Sequence, residues 1–233
     1  KLKPTASSAS ATGVAISAAN PRIIFVGGYY STGSSSYYRV YKSADGGATW
    51  ANTTGSLGKR QNPNWLGCPI VTHPTDPLRL FVGTAYGIYK STDGGLTWMR
   101  GQGEAAAYRG LAVDPSNPLN LYAGYYSQAY TSSDGGDSWL EVSGVSGWCS
   151  SILVSTQRAY YGSEAGVYRS QDSGLTWEES SSGIMATSIP TLAVAPSSPD
   201  ILYAESYRVF KTADGGKAWQ GLPKFDYCDS VRS

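Results

Sequence analysis

The stretch VYKSADGGATW, residues 40–50, decides the fold. It places Ser43, Asp45, Gly46, Gly47, Thr49 and Trp50 in a fixed order, and the chain repeats that order four more times. IYKSTDGGLTW covers 88–98, AYTSSDGGDSW 129–139, VYRSQDSGLTW 167–177 and VFKTADGGKAW 209–219. The aspartates are Asp45, Asp93, Asp134, Asp172 and Asp214, and each string ends in Trp50, Trp98, Trp139, Trp177 or Trp219. An aspartate accepts hydrogen bonds from main-chain N–H groups a few residues on, which folds a turn around its carboxylate. The glycines supply positive φ without a Cβ penalty. The serine or threonine two residues before the aspartate adds a hydroxyl, and the tryptophan buries a large apolar body between neighbouring sheets.

The surroundings recur with the strings. Upstream of each lies NPRIIFVGG, DPLRLFVGT, NPLNLYAGY, TQRAYYGSE or SPDILYAES, and before that a short apolar run, GVAIS, CPIVT, GLAVD, SSILV or TLAVA. Runs of β-branched and aromatic residues between Gly, Pro and Asp clusters read as strands. No segment keeps a helical apolar period. Each unit therefore reads as four strands, with the quoted stretch turning between the third and fourth. A repeat near 40–45 residues is the length of one propeller blade. The expectation is an all-β chain: an N-terminal extension over 1–11, one five-bladed propeller over 12–222, looking complete, and a tail over 223–233.

The pattern S/T-x-D-x-G-x-x-W resembles the Asp-box, or bacterial neuraminidase, repeat, and five copies in register make the resemblance specific. It covers residues 12 to 222. Unit four departs at Ser173, and units three and five replace the threonine before the tryptophan by Ser138 and Ala218. The resemblance implies a β-propeller of the kind found in sialidases, xyloglucan-type endoglucanases, sortilin-like receptors and photosystem II assembly factors. It also implies that the boxes lie at the periphery as scaffold, so function has to be argued from other residues.

Composition narrows the function. The 233 residues carry a net charge of +1 and only 15% charged residues, which argues against a nucleic-acid partner. No apolar run reaches the about 18 residues of a membrane span. The first residues lack the apolar core of a signal peptide; they read as a mature secreted start or a linker. Of Cys68, Cys149 and Cys228, at most two can pair, the pairing of the first two is doubtful, and no Cys/His cluster suggests zinc. Each box offers one carboxylate, too few for a dedicated calcium site. No metal or cofactor is expected. Asn52-Thr53-Thr54 is a glycosylation acceptor in a secretory context, and the resemblance points to an extracytoplasmic location.

In such a blade the turns between strands two and three share one end with the links from strand four to the next blade. Those segments hold Tyr29, Tyr30, Tyr37, Tyr38, Tyr86, Tyr125, Tyr126 and Tyr207, with Trp65, Tyr108, Arg109 and Trp148 from the links, beside Lys59, Arg60, Asn62 and Asn64. Aromatic faces rimmed by polar groups suit sugar rings or a protein surface. Singly, such tyrosines are ordinary covers of blade edges. The binding candidates are Tyr29, Tyr30, Trp65, Tyr86, Arg109, Tyr125, Tyr126, Trp148 and Tyr207.

The catalytic alternative is a glycoside hydrolase, which needs two carboxylates across a cleft. Glu164 and Glu205, in corresponding turns of neighbouring blades, are the candidates, with Glu104 a third. The arginine motif that the resemblance would require of a sialidase is absent. His73, the sole histidine, sits where unit three has Asp114 and reads as a turn residue, so no nucleophilic triad can be built. The leading expectation is a non-catalytic binding or assembly module.

Overall fold

The computed structural model describes residues 8–31, 36–57, 59–60, 67–103, 106, 109–155, 158–185 and 188–223. Trp65, Asn62, Asn64, Tyr108, Glu104 and Cys228 lie outside these residues, as do residues 1–7 of the expected extension and the tail beyond Pro223.

Five antiparallel sheets follow one another along the chain, and no helix occurs among the described residues. Blade I comprises β1 (Ser8–Ile16), β2 (Ile24–Ser31), β3 (Ser36–Ser43) and β4 (Ala51–Asn52), with β5 (Lys59–Arg60) added beside β3. Blade II holds β6 (Ile70–Thr72), β7 (Leu80–Thr84), β8 (Gly87–Ser91) and β9 (Met99–Arg100). Blade III holds β10 (Gly110–Val113), β11 (Leu121–Tyr125), β12 (Gln128–Ser132) and β13 (Leu140–Val142). Blade IV holds β14 (Cys149–Ser155), β15 (Arg158–Ser163), β16 (Gly166–Ser170) and β17 (Glu178–Glu179). Blade V holds β18 (Thr191–Ala195), β19 (Ser198–Glu205), β20 (Val209–Thr212) and β21 (Gln220–Gly221). The expected five four-stranded units are present, and the first strand begins at Ser8, upstream of Thr12.

Alternation along each strand decides what packs on what. On β11, Leu121 and Ala123 join the core shared with blade II, while Tyr122 between them joins the core shared with blade IV. Both faces of an inner blade are covered, so its strands read as continuous apolar runs. Four such cores lie between successive blades I to V. Among the described residues none joins blade V back to blade I.

One row of side chains makes these joints. Phe25, Phe81, Tyr122 and Tyr160 occupy the same register on the second strands, opposite Lys42, Lys90, Thr131 and Arg169. All four are 0–1% exposed. Each box docks against the joint from the other side. A Cβ on Gly136 would stand 2.9 Å from Phe81, one on Gly174 2.8 Å from Tyr122, and one on Gly216 3.2 Å from Tyr160. In these three boxes the second glycine therefore serves two needs, a positive φ and room for the preceding blade's aromatic ring.

Candidate functional site

The repeated box lies at one end of every blade. Its aspartate is the hub of a hydrogen-bonded turn. In blade II, Asp93 Oδ1 accepts from Ser91 Oγ (2.8 Å), Leu96 N (2.9 Å) and Thr97 N (2.9 Å), and Oδ2 accepts from Thr97 Oγ1 (2.5 Å). The Thr97 hydroxyl, then its N–H, holds the carboxyl down at about 2. The same side-chain and main-chain donors, Thr49 and Ser43, depress Asp45 further. Asp134 and Asp172 are also lowered, their hydrogen bonds outweighing the desolvation that opposes them. Asp214 is lowered by Thr212 first, although Ala218 leaves it no second hydroxyl. The first glycine of the box donates its N–H to the turn between strands one and two, Gly46 to Arg22, Gly94 to Leu78 and Gly135 to Leu119, and in blade V to the second strand, Gly215 to Asp200. These carboxylates are spent on their own turns.

The tryptophans pack as expected in four boxes. Trp98, Trp139, Trp177 and Trp219 are 5–8% exposed, and Trp98 Nε1 donates to Thr53 O in the preceding blade. Trp50 is only half-buried and donates to its own Gly47 O.

The opposite end carries the aromatic candidates, and the structure gathers some of them. Tyr125 and Tyr126 form the β11–β12 turn with ring centroids 4.4 Å apart, and Trp148, from the link into blade IV, meets Tyr126 at 5.4 Å. Trp148 is 49% exposed. Glu164, in the β15–β16 turn, donates its N–H to Trp148 O. Arg109, exposed at the start of β10, is near enough for its charge to act on the thiol of Cys149, the residue after Trp148. Three aromatic rings thus adjoin one another, with the main chain of Glu164 bonded to that of Trp148.

That surface is held from below. Tyr126 has φ of 51°, an uncommon value for a residue with a side chain. Its carbonyl accepts from Cys149 N (2.8 Å) and from Tyr161 Oη (2.9 Å). Burial pushes the Tyr161 hydroxyl up, which keeps it a donor. This role was not legible in the sequence, where Tyr161 looks like any apolar strand residue.

The other candidates stand apart. On blade I, Tyr30 stacks on Tyr37 at 5.1 Å with the Arg39 guanidinium 4.3 Å over its ring, and Tyr29 Oη donates to Ser10 Oγ. Tyr38 is buried and its hydroxyl accepts from Ala85 N, which makes it part of the blade I–II joint. Tyr86 and Tyr207 are exposed singly on blades II and V, the latter edge-on to Phe210. Glu205 ends β19 on blade V, exposed, opposite Val209.

His73 is buried in the β6–β7 turn, where its Nδ1 accepts from Asp76 N (3.1 Å) and Thr75 N (3.3 Å). Asp114 does the same for Ser116 and Asn117. Burial, then Arg79, lowers the imidazole pKa. Cys68 and Cys149 are free thiols, buried against glycines of the preceding blade and pushed up to about 12 by that burial. A groove of about 370 Å³ lies at the box end between Trp139, Leu140 and Leu175.

Sheet order, antiparallel blades and stacked inter-blade cores define a β-propeller-type repeat protein. The chain matches no protein-family model and no curated protein. Among solved structures it is similar to an ancestral GH74 enzyme, at 22% identity and a TM-score of 0.71 over 91% of this chain and 31% of that one. The GH74 xyloglucanase from Xanthomonas campestris follows at 18% identity and 0.68, over 91% of this chain and 38% of that one. A YCF48 structure with a bound D1 peptide shares 18% identity and a TM-score of 0.66, over 99% of this chain and 71% of that one. At these identities the likeness shows the fold, and the chain spans about a third of the enzyme chains.

Proposed function

We propose that the chain is a non-catalytic binding module whose contact surface is the Tyr125–Tyr126–Trp148 platform, bordered by Arg109 and Glu164. The observation that carries this reading is the strained Tyr126 turn, which holds an exposed aromatic group in place. An aromatic platform with a polar border takes either a sugar chain or an extended protein segment. Solved relatives in fold supply one precedent for each, a xyloglucanase and a protein bound to a peptide. An extracytoplasmic setting is part of the same proposal and rests on the resemblance to the Asp-box repeat.

Screening the protein on oligosaccharide and peptide arrays, with Trp148→Ala in parallel, tests it. Selective binding by the parent that disappears in the variant supports the platform and identifies the ligand class. Equal binding by both proteins refutes it. The second reading, a glycoside hydrolase, gains from Glu164 lying next to the aromatic group. It requires turnover of a bound oligosaccharide that is lost in both Glu164→Gln and Glu205→Gln.

A further inference from the structure

Blades I to IV each turn one row of three side chains toward the next blade. The row crosses from the second strand to the outer strand: Phe25, Lys42 and Ala51 in blade I; Phe81, Lys90 and Met99 in blade II; Tyr122, Thr131 and Leu140 in blade III; Tyr160, Arg169 and Glu178 in blade IV. Except in blade III, the middle residue is a long cation. Lys90 pairs with Asp137 of the next box, and Arg169 pairs with Glu178 and donates from Nη1 to Gly215 O (3.0 Å). Lys42 extends to the next box as well, since a Cβ on Gly94 would stand 2.5 Å from its Nζ. Blade III has the short Thr131 instead, whose Oγ1 donates to Ser173 O (2.9 Å).

The missing long side chain leaves a groove. About 370 Å³ opens between Thr131, Ser133 and Leu140 of blade III and Ser173 and Leu175 of box IV. At the matching place in blade IV the cavity is about 190 Å³, and there Arg169 and Gln171 both bond Glu178. The rims of the larger groove are aliphatic: Leu140 and Leu175 are each 57% exposed. Ser132, Ser133 and Ser138 supply hydroxyls to the rest of its lining.

The charge around this groove has one sign. Asp134 accepts from Ser132 Oγ (2.8 Å) and Ser138 Oγ (2.5 Å), both in the lining. Asp172 directly precedes Ser173 in the opposite box. Glu179 is exposed and lies in register with Tyr168, on the face of blade IV that meets blade III. Residues 109–188 hold eight acidic residues against three arginines, in a chain of net charge +1. Those arginines lie elsewhere: Arg109 near Cys149 at the aromatic end, Arg158 on Asp200 and Arg169 on Gly215, both toward blade V.

We propose that this groove docks an extended protein segment that presents one bulky apolar side chain between lysines or arginines. The apolar side chain lies between Leu140 and Leu175, and the flanking cations meet Asp134, Asp172 and Glu179. A groove of this size takes one side chain, and its aliphatic rims offer apolar burial rather than the aromatic face on which a sugar ring stacks. Carboxylates of one sign draw a basic partner and make its binding weaken as salt rises. This surface is separate from the Tyr125–Tyr126–Trp148 platform at the other end of the blades.

Fluorescence anisotropy tests the proposal with a labelled peptide holding one leucine between two pairs of lysines, beside counterparts with serine for the leucine and with glutamate for the lysines. The parent is expected to bind the leucine peptide, more weakly in high salt, and to bind each counterpart at least about tenfold more weakly, the scale of one buried aliphatic side chain. Thr131→Arg combined with Leu140→Glu rebuilds the row of blade IV inside the groove and is expected to abolish binding. Leu175→Lys, which copies Lys217 of box V at an exposed position, does the same should the double variant fail to fold. Trp148→Ala is expected to bind the peptide as the parent does. A parent that does not bind the leucine peptide overturns the proposal. So does equal binding by the filled variants or of the serine peptide, or loss of binding in Trp148→Ala.

Discussion

Asp93 shows how much a single carboxylate does in this chain. It accepts from two hydroxyls and two N–H groups, and these bonds depress its pKa against an opposing desolvation. Its folded pKa lies below that of the unfolded chain, about 3.9. The stability it contributes is therefore complete above about 4 and is lost as pH falls toward about 2. A carboxyl-carbon NMR titration is expected to place Asp93 near 2; a value near 3.8 would show that the turn does not hold it. His73 follows the same sign through burial: its folded pKa is lowered, so its contribution fades as pH falls below the ordinary imidazole value.

Within a blade, the tryptophan joins the box to its neighbour, and the five copies are not equal. Trp98→Ala removes a ring that is 6% exposed and packed on Phe25 and Leu57, which costs about 3–5 kcal/mol by the usual scale of aromatic deletions. Trp50→Ala removes a half-buried ring that bonds its own Gly47 O, and it costs clearly less. Denaturant unfolding of the two variants checks this, and equal losses would contradict it. The sequence could not have told the two apart, since ADGGATW and TDGGLTW read alike. It did show where the strands turn, because Asp, Gly and Trp act through local backbone needs. The row Phe25, Phe81, Tyr122 and Tyr160 was hidden for the opposite reason: which face of a strand meets which blade depends on the arrangement of whole sheets. The platform was half legible. Tyr125, Tyr126 and Trp148 stood out as aromatics in loops, but the positive φ of Tyr126 and its support by Tyr161 come from residues far apart in sequence. The same tertiary placement separates Tyr29, Tyr86 and Tyr207 from that group.

The described residues form a series of blades, each packed on its neighbours, so their stability is a sum of blade terms and joint terms. Among the described residues, blades II, III and IV take part in two of the apolar joints, and blades I and V in one. Amide hydrogen exchange at low protein concentration is expected to be slowest in β7, β11 and β15 and faster in β2 and β19. Uniform protection across the five blades would contradict it.

The box end holds the fold, and the aromatic end is the proposed binding surface. Measuring melting temperature and array binding together on Trp148→Ala and Trp98→Ala tests this division most directly. The account predicts that Trp148→Ala loses binding with its melting temperature unchanged, while Trp98→Ala melts earlier yet still binds when folded. A Trp148→Ala protein that binds as the parent does, or that is destabilised as much as Trp98→Ala, would contradict it.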